Sequence, residues 1–387
     1  MSIPVIYLCG MALAAASASY LLLAIWRVAR FGPRGVRPSA PMGGVTILKP
    51  LCGLEPQLYD CLRSFCVIDH APLQIVFGVA DPFDPALDVV ARLKAEFPAL
   101  DLVSVIDRAV HGTNLKVSNL INMYGAARHD IVIVSDSDTA VTPDCLEVLL
   151  APLADRATGA VTCLYKAAPA PGLASMLGAL FVNDWFLASA VVDAGMRDIA
   201  YCFGPVTALR REALDAMGGF HALSSHLADD FMLGRLVAKA GYKVRLASCV
   251  PDISVVETFS SLLAHELRWA RTVRTVKPGE HFMSGVMELL PLIAVLLLPY
   301  PALGGWWVLA ALMLLRVALH YAVRWRFAIA VPARPWLLPL RECLCFAIWL
   351  ASFRSYNVRW RDRSFVIASG GRLVPRSIPS ASASGGL

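Results

Sequence analysis

Charge is scarce in this chain. Of its 387 residues 17% are Asp, Glu, Lys or Arg, against 57% hydrophobic. Soluble domains run nearer about 25% charged. An ordinary soluble enzyme and a disordered chain are therefore excluded, and an integral membrane protein is indicated. Metal frameworks are missing as well. The ten cysteines contain no C-x-x-C, and His265-Glu266 starts an H-E-x-x-H pattern that Trp269 leaves unfinished. Scattered thiols without pairing fit a reducing compartment. No basic stripe interleaved with aromatics is present, which argues against nucleic acid as a partner. The first strand runs into Lys49-Pro50-Leu51-Cys52-Gly53, with neither the dinucleotide glycine fingerprint nor a P-loop. A bound nucleotide is thus not held by a glycine-rich phosphate loop.

What the chain does have begins with a membrane anchor. Ile3 to Trp26 carries no charge and exceeds the roughly 20 residues that a crossing needs. Arg27, Arg30, Arg34 and Arg37 follow with no acid among them. Basic flanks stay in the cytoplasm, so the following domain is expected inside, at the inner (cytoplasmic) membrane. Val286–Leu303 and Gly304–Val323 read as two further crossings, with Glu288 and Arg316 in or near them. Intramembrane charges are usually functional or paired. Trp336–Phe353 is shorter and carries Arg341 and Glu342. If it crosses, Arg354, Arg359, Arg361, Arg363, Arg372 and Arg376 lie outside, against the charge rule. Crossing, re-entrant and interfacial readings all stay open for it. Ser380–Leu387 is Ser/Ala/Gly and reads as disordered. The expected division is an anchor and basic flank (1–37), a cytoplasmic catalytic domain (38–280), membrane helices (281–353) and a basic tail (354–387).

Residues 38–280 alternate short apolar runs with helical spacings. Val45–Leu48, Leu73–Val79, Leu102–Ile106 and Ile131–Ser135 read as strands, and Pro56–Val67, Pro85–Phe97 and Leu115–Ala127 as helices. Such β-α repetition predicts a doubly wound parallel sheet. Ligands of open α/β sheets bind at the carboxyl ends of strands. There the sequence places Asp81, then Asp136-Ser137-Asp138. Two carboxylates one residue apart suit a hard divalent cation that takes its other ligands from phosphates and water, although Asp and Ser also favour plain turns. Asp229-Asp230 opens a helix; helix capping accounts for such a pair as well as a general base does. Arg268, Arg271, Arg274 and Lys277 recur at spacings of three, a face suited to anionic lipid headgroups, or to a phosphate clamp at Arg268. Gly172–Val192 is apolar but contains Asn183 and Asp184. It reads as a helix near a cleft or as plain core, with Cys202-Phe203-Gly204-Pro205 lining the same pocket.

In this order, a lone Asp, a D-x-D, a later Asp pair and a terminal x-x-x-R-W before membrane helices resemble membrane-bound glycosyltransferases of the GT-A fold. Within them the chain is similar to the ceramide glucosyltransferase family. The matching stretches are Lys49-Pro50-Leu51 with Gly53, Asp84–Val89, Asn114–Leu120 and Gly218-Gly219-Phe220. Gln74–Gly78, His111–Asn122 and His265-Glu266-x-Arg268-Trp269 look closer to the bacterial branch associated with hopanoid biosynthesis. The resemblance implies a mixed doubly wound α/β sheet of GT-A type with N- and C-terminal transmembrane helices. It also implies transfer of one sugar, N-acetylglucosamine or glucose, from a UDP-sugar to a membrane lipid, a hopanoid in that branch or a ceramide in the wider family. Asp81, Lys116 and Asp136 would contact the donor, and Asp138 with Asp136 would hold Mg²⁺ or Mn²⁺. Asp230, or else Asp229, would be the base. Arg268 and Trp269 would close the donor site, and His265 and Asp184 would touch acceptor or phosphate. His265 departs from the family's Gln or Arg. A processive polysaccharide synthase needs more membrane helices, and a non-catalytic sugar-nucleotide binder would be expected to have lost Asp138 or Asp230.

Overall fold

In the computed structural model the described residues are 4–32, 43–360 and 363–375. Arg34, Arg37, Arg361, Arg376 and the Ser380–Leu387 stretch fall outside them. The chain opens with α1 (Val5–Arg30) and enters an α/β domain at β1 (Val45–Pro50). There follow α2 (Leu58–Cys66), β2 (Leu73–Val79), α3 (Ala86–Glu96), β3 (Asp101–Ile106), α4 (Leu115–Tyr124) and β4 (Ile131–Ser135). The second half runs β5 (Thr139–Ala140), α5 (Cys145–Leu150), β6 (Thr158–Cys163), β7 (Lys166–Pro169), α6 (Leu173–Leu180), a π-helical turn (Phe181–Phe186) and α7 (Leu187–Met196). It closes with β8 (Val206–Arg210), α8 (Arg211–Ala216), α9 (Asp229–Lys239), β9 (Lys243–Ala247) and β10 (Asp252–Val255).

Seven strands form one sheet in the order β3-β2-β1-β4-β8-β6-β9. The first four are parallel, as the β-α repetition predicts. β8 runs antiparallel to both β4 and β6, so the sheet is mixed, as the resemblance implies, and the parallel pattern read from the β-α repetition holds for its first half. Alternation along the strands supplies two cores. Ile47, Ile75, Phe77 and Ile133 pack under α2 and α3. Leu48, Val76, Val132 and Val134 pack under α4 and α9. A sheet covered on both faces in this way reads as near-continuous apolar runs.

Beyond the domain come α10 (Phe259–Val276), α11 (Pro278–Ser284), α12 (Leu290–Leu297), α13 (Gly305–Arg326) and α14 (Leu338–Ser352). Among the described residues α1, α13 and the continuous stretch Leu173–Met196 are long and apolar enough to cross a membrane, as is the bent pair Pro278–Glu288 with Leu290–Leu297. The stretch Leu173–Met196 is 78% buried within the protein, so it serves as core rather than facing lipid.

The chain ends in a small antiparallel sheet, β11 (Asn357–Trp360), β12 (Arg363–Ala368) and β13 (Arg372–Pro375). This sheet ties the tail to the α/β domain. Leu373 N–H donates to Ser225 O, and Leu227 N–H to Gly371 O. Arg271 donates to Asn357 O and Arg274 to Ser355 O. Tail and catalytic domain therefore share one side of any membrane, and an even number of crossings separates them. The bent pair and α13 are long and apolar enough to supply two. At about 22 Å, α14 is shorter than a hydrocarbon core of about 30 Å, and it packs on α10. Arg271 and Arg274 are thus spent on the tail instead of on lipid headgroups.

Arg316, Arg341 and Glu342 are paired, whereas Glu288 Oε2 is buried without a hydrogen-bond partner among the described residues. Arg316 of α13 meets Glu342 of α14. Arg341 is fully buried, donates to both oxygens of Glu266 on α10 (Nη1–Oε1 2.8 Å), and reaches Leu177 O of α6 at 3.2 Å. Breaking such a pair from one side costs about 3–5 kcal/mol, while replacing both partners by apolar groups is often neutral. Arg341→Met is therefore expected to lower the thermal midpoint in detergent sharply, and Glu266→Leu with Arg341→Met to recover most of the loss. Equal losses in the single and double variants would refute the coupling.

Candidate active site

The site forms at the carboxyl edge of the parallel strands. Asn114 caps α4 by accepting from Val117 N–H at 3.0 Å, and its amide donates to His226 O and Asp229 Oδ1. That cap fixes the first turn of α4 against the loop leading into α9. Lys116 then reaches Asp136 Oδ1 at 2.6 Å and Asp229 Oδ2 at 3.6 Å. Burial alone would lower its pKa, but Asp136 and Asp229 hold it well above the usual range. The cation thus ties the end of β4 to the start of α9.

Asp230 points across to the same place. A Cβ on Gly204 would lie 3.3 Å from Asp230 Oδ2 and 3.7 Å from Asp136 Oδ2. Glycine at 204 keeps open the gap that these two carboxylates face. Burial, and then neighbouring Asp229, raise the Asp230 carboxyl to about 7. Asp138 is raised to about 7 by burial and then by Asp136 and Glu55. Burial pulls Arg268 below its ordinary value, opposed by Asp229, Asp230 and Glu257, which places its charge beside α9.

Two contributors were not singled out from the sequence as site residues. Lys49 is fully buried and donates to Ser135 Oγ at 2.9 Å and Asp136 O at 2.8 Å; burial lowers it to about 7. Its signal was a lysine inside a short, mostly apolar strand. Glu55 accepts from Ser137 Oγ at 2.6 Å; nothing in its local pattern marked it.

An aromatic wall stands beside the carboxylates. Tyr165 stacks on Phe186 at 4.5 Å, and Phe186 meets Phe203 at 5.5 Å. Trp269 lies 5.9 Å from Phe181 and 4.4 Å from the His265 ring. The Tyr165 hydroxyl is pushed up by burial and then by Asp230, Asp138 and Asp136, which puts the wall within their field. His265 Nδ1 is 3.0 Å from Glu257 Oε1. His265→Gln keeps a donor for Glu257 and is expected to retain much of the turnover. His265→Ala is expected to lose about tenfold, the worth of one hydrogen bond to a charged group. Equal, near-parental turnover of both variants would remove His265 from the site.

Asp81 ends β2, two strands from β4, and is exposed, accepting from Phe83 N–H and Arg108. Asp184 is a correction. It is fully buried and its carboxylate bonds His320 Nδ1 of α13 at 2.6 Å, so it joins helices and does not open onto the cleft. Its place on the π-helical turn directs it toward α13 while Phe181 and Phe186 line the wall.

A mixed GT-A-type sheet with carboxylates gathered at this edge defines a sugar-nucleotide-dependent glycosyltransferase. The profile of Glycosyl transferase family 21 matches residues 9–373, and the chain belongs to that family. It is 23% identical over 356 residues to ceramide glucosyltransferase 3 of Caenorhabditis elegans, covering 88% of this chain and 76% of that protein. It is 25% identical over 246 residues to an N-acetylglucosaminyltransferase of Mesorhizobium japonicum, covering 60% and 56%. Among solved structures, the mannosyltransferase PcManGT from Pyrobaculum calidifontis, in complex with GDP-Man and Mn²⁺, superposes with a TM-score of 0.57. That pair shares 21% identity and covers 90% of this chain and 97% of that one, a likeness of fold.

Proposed function

We propose that the protein transfers one sugar, N-acetylglucosamine or glucose, from a UDP donor to a hydroxyl of a membrane lipid. The observation that carries this reading is the gap over Gly204, flanked by Asp136 and Asp230, beside an aromatic wall built on membrane-packed helices. Asp230 takes the proton of the lipid hydroxyl as that oxygen attacks the anomeric carbon. A single displacement inverts the configuration and needs no covalent intermediate. Asp81 and Asp136 contact the donor, Lys116 holds Asp136 in place, and Arg268 faces the leaving diphosphate, with Trp269 closing the site.

The donor set fits a divalent cation. Five carboxylates (Glu55, Asp136, Asp138, Asp229 and Asp230) meet three cations (Lys49, Lys116 and Arg268), so uncompensated negative charge remains. Asp138 and Asp136 would hold Mg²⁺ or Mn²⁺, which would offset charge on the diphosphate. α1 and α13 pack together and both end in arginines, Arg27 and Arg30 beside Arg324 and Arg326. Basic ends at one level favour a cytoplasmic catalytic domain at the inner membrane, where UDP-sugars are available.

The resemblance to the hopanoid-associated branch favours a polyhydroxylated hopanoid acceptor. A ceramide acceptor is the second reading, favoured by the relatives named ceramide glucosyltransferase. Purified protein given each UDP-sugar with a hopanoid polyol and a ceramide should yield one sugar on one lipid by mass spectrometry. A polymer, or no lipid product with any pair, would overturn the reading.

A further inference from the structure

A cavity of about 380 Å³ lies where the end of α1 meets the catalytic domain, within the size range of ligand pockets. Trp26, Arg27 and Arg30 line it together with the apolar side chains of Val191, Ile199 and Leu246. Arg197 and Arg245 also border it, but both are already neutralised. Arg197 pairs with Asp193 and Glu280, and Arg245 with Asp198.

Arg27 and Arg30 differ. Each guanidinium lies over the Trp26 ring, at 4.8 and 4.7 Å, and neither has a carboxylate partner among the described residues. Arg27 Nε is a buried donor with nothing to donate to. Gly195 makes room for this arrangement, since a Cβ there would lie 2.6 Å from Arg27 Nη1. Two free guanidiniums over an indole, next to an apolar wall at the end of a membrane helix, match a group with a phosphate head and a hydrocarbon body. Basic pockets beside membrane helices take anionic headgroups, and guanidinium suits phosphate through paired donors.

We infer that this cavity is a binding site for the phosphate of an anionic glycerophospholipid, separate from donor and acceptor. Each arginine at an anionic surface contributes roughly fivefold in affinity. Arg27→Gln with Arg30→Gln is therefore expected to weaken binding by about 30-fold.

The test uses the full chain in neutral detergent. Phosphatidylglycerol, phosphatidylcholine of the same acyl chains and inorganic phosphate are titrated separately, and bound lipid is read by native mass spectrometry alongside the melting temperature. Phosphatidylglycerol should bind and raise the melting temperature of the parent, with phosphatidylcholine and phosphate inert. The double Gln variant should lose that response, Arg27→Lys with Arg30→Lys should keep part of it, and Arg156→Gln on the exposed domain surface should keep all of it. Equal responses to the two lipids in the parent protein would overturn the proposal, and that arm needs no variant to fold. Phosphate alone reproducing the stabilisation would overturn the lipid assignment. Undiminished phosphatidylglycerol binding in the double Gln variant would overturn the site.

Discussion

Asp230→Asn is expected to lower turnover by about 10²–10⁴, the usual worth of a positioned acid–base group, while binding of the UDP-sugar persists. The amide keeps the shape and loses proton acceptance. Asp229 is the weaker candidate because its oxygens are already engaged by Asn114 and Lys116, whereas Asp230 faces the gap over Gly204. Asp229→Asn should cost less and act through Lys116. A dead Asp229→Asn beside an active Asp230→Asn would reverse the pair. The pH profile adds an independent readout. A carboxyl raised to about 7 is protonated below that pH and accepts no proton, so kcat/KM should climb as pH rises through about 7. Asp138, also raised to about 7, contributes to the same limb, which should be steeper than one proton allows. Added Mn²⁺ competes with the proton at Asp138. Excess metal should therefore shift that part of the limb to lower pH and leave the Asp230 part in place.

The half of the fold that positions the donor edge was legible because its signals are local. Leu73–Val79 and Ile131–Ser135 are strands at the bounds that their apolar runs predict, and α3 and α4 begin within a residue of the expected Pro85 and Leu115. Every residue of those two strands is buried, so no face confused the pattern. The antiparallel β8 was missed because strand direction leaves no mark on a short apolar run. The same blindness applies to partners distant in sequence. Arg341 and Glu342 looked like an obstacle to a crossing; their mates, Glu266 and Arg316, lie 75 and 26 residues away. Spacing showed Arg268 through Lys277 as one basic face, but not that Arg271 and Arg274 are committed to a tail more than 80 residues onward. In the site, Asp136 and Asp138 were visible as acids just past an apolar strand, where ligands of open α/β sheets bind, and Asp230 as one of a pair opening a helix. Glu55 was not, because its role depends on Ser137 and Asp138 across the cleft. Asp184 shows the converse: it was conspicuous in an apolar helix, and its reason is His320.

Asp138→Ala is expected to remove nearly all turnover while leaving the fold intact. Asp138 lies among like charges, with Asp136 and Glu55 both pushing its carboxyl toward the protonated form. Deleting it relieves repulsion, so the melting temperature should hold or rise slightly even as activity disappears. A loss of activity caused by misfolding would lower both together. Among the described residues no three His, Cys, Asp or Glu side chains converge as a complete metal cage. A cation bound through one or two carboxylates must draw its other ligands from the donor's phosphates and from water. Metal affinity should therefore be weak in the protein alone and rise when UDP is added, a coupling that isothermal titration can read without any turnover. EDTA should abolish activity of the parent, and Mg²⁺ or Mn²⁺ should restore it. In Asp138→Ala the UDP-dependent gain in metal affinity should vanish, and excess metal should rescue little. Full activity of the parent in EDTA would sink the metal assignment, while the Asp230 prediction would stand on its own geometry.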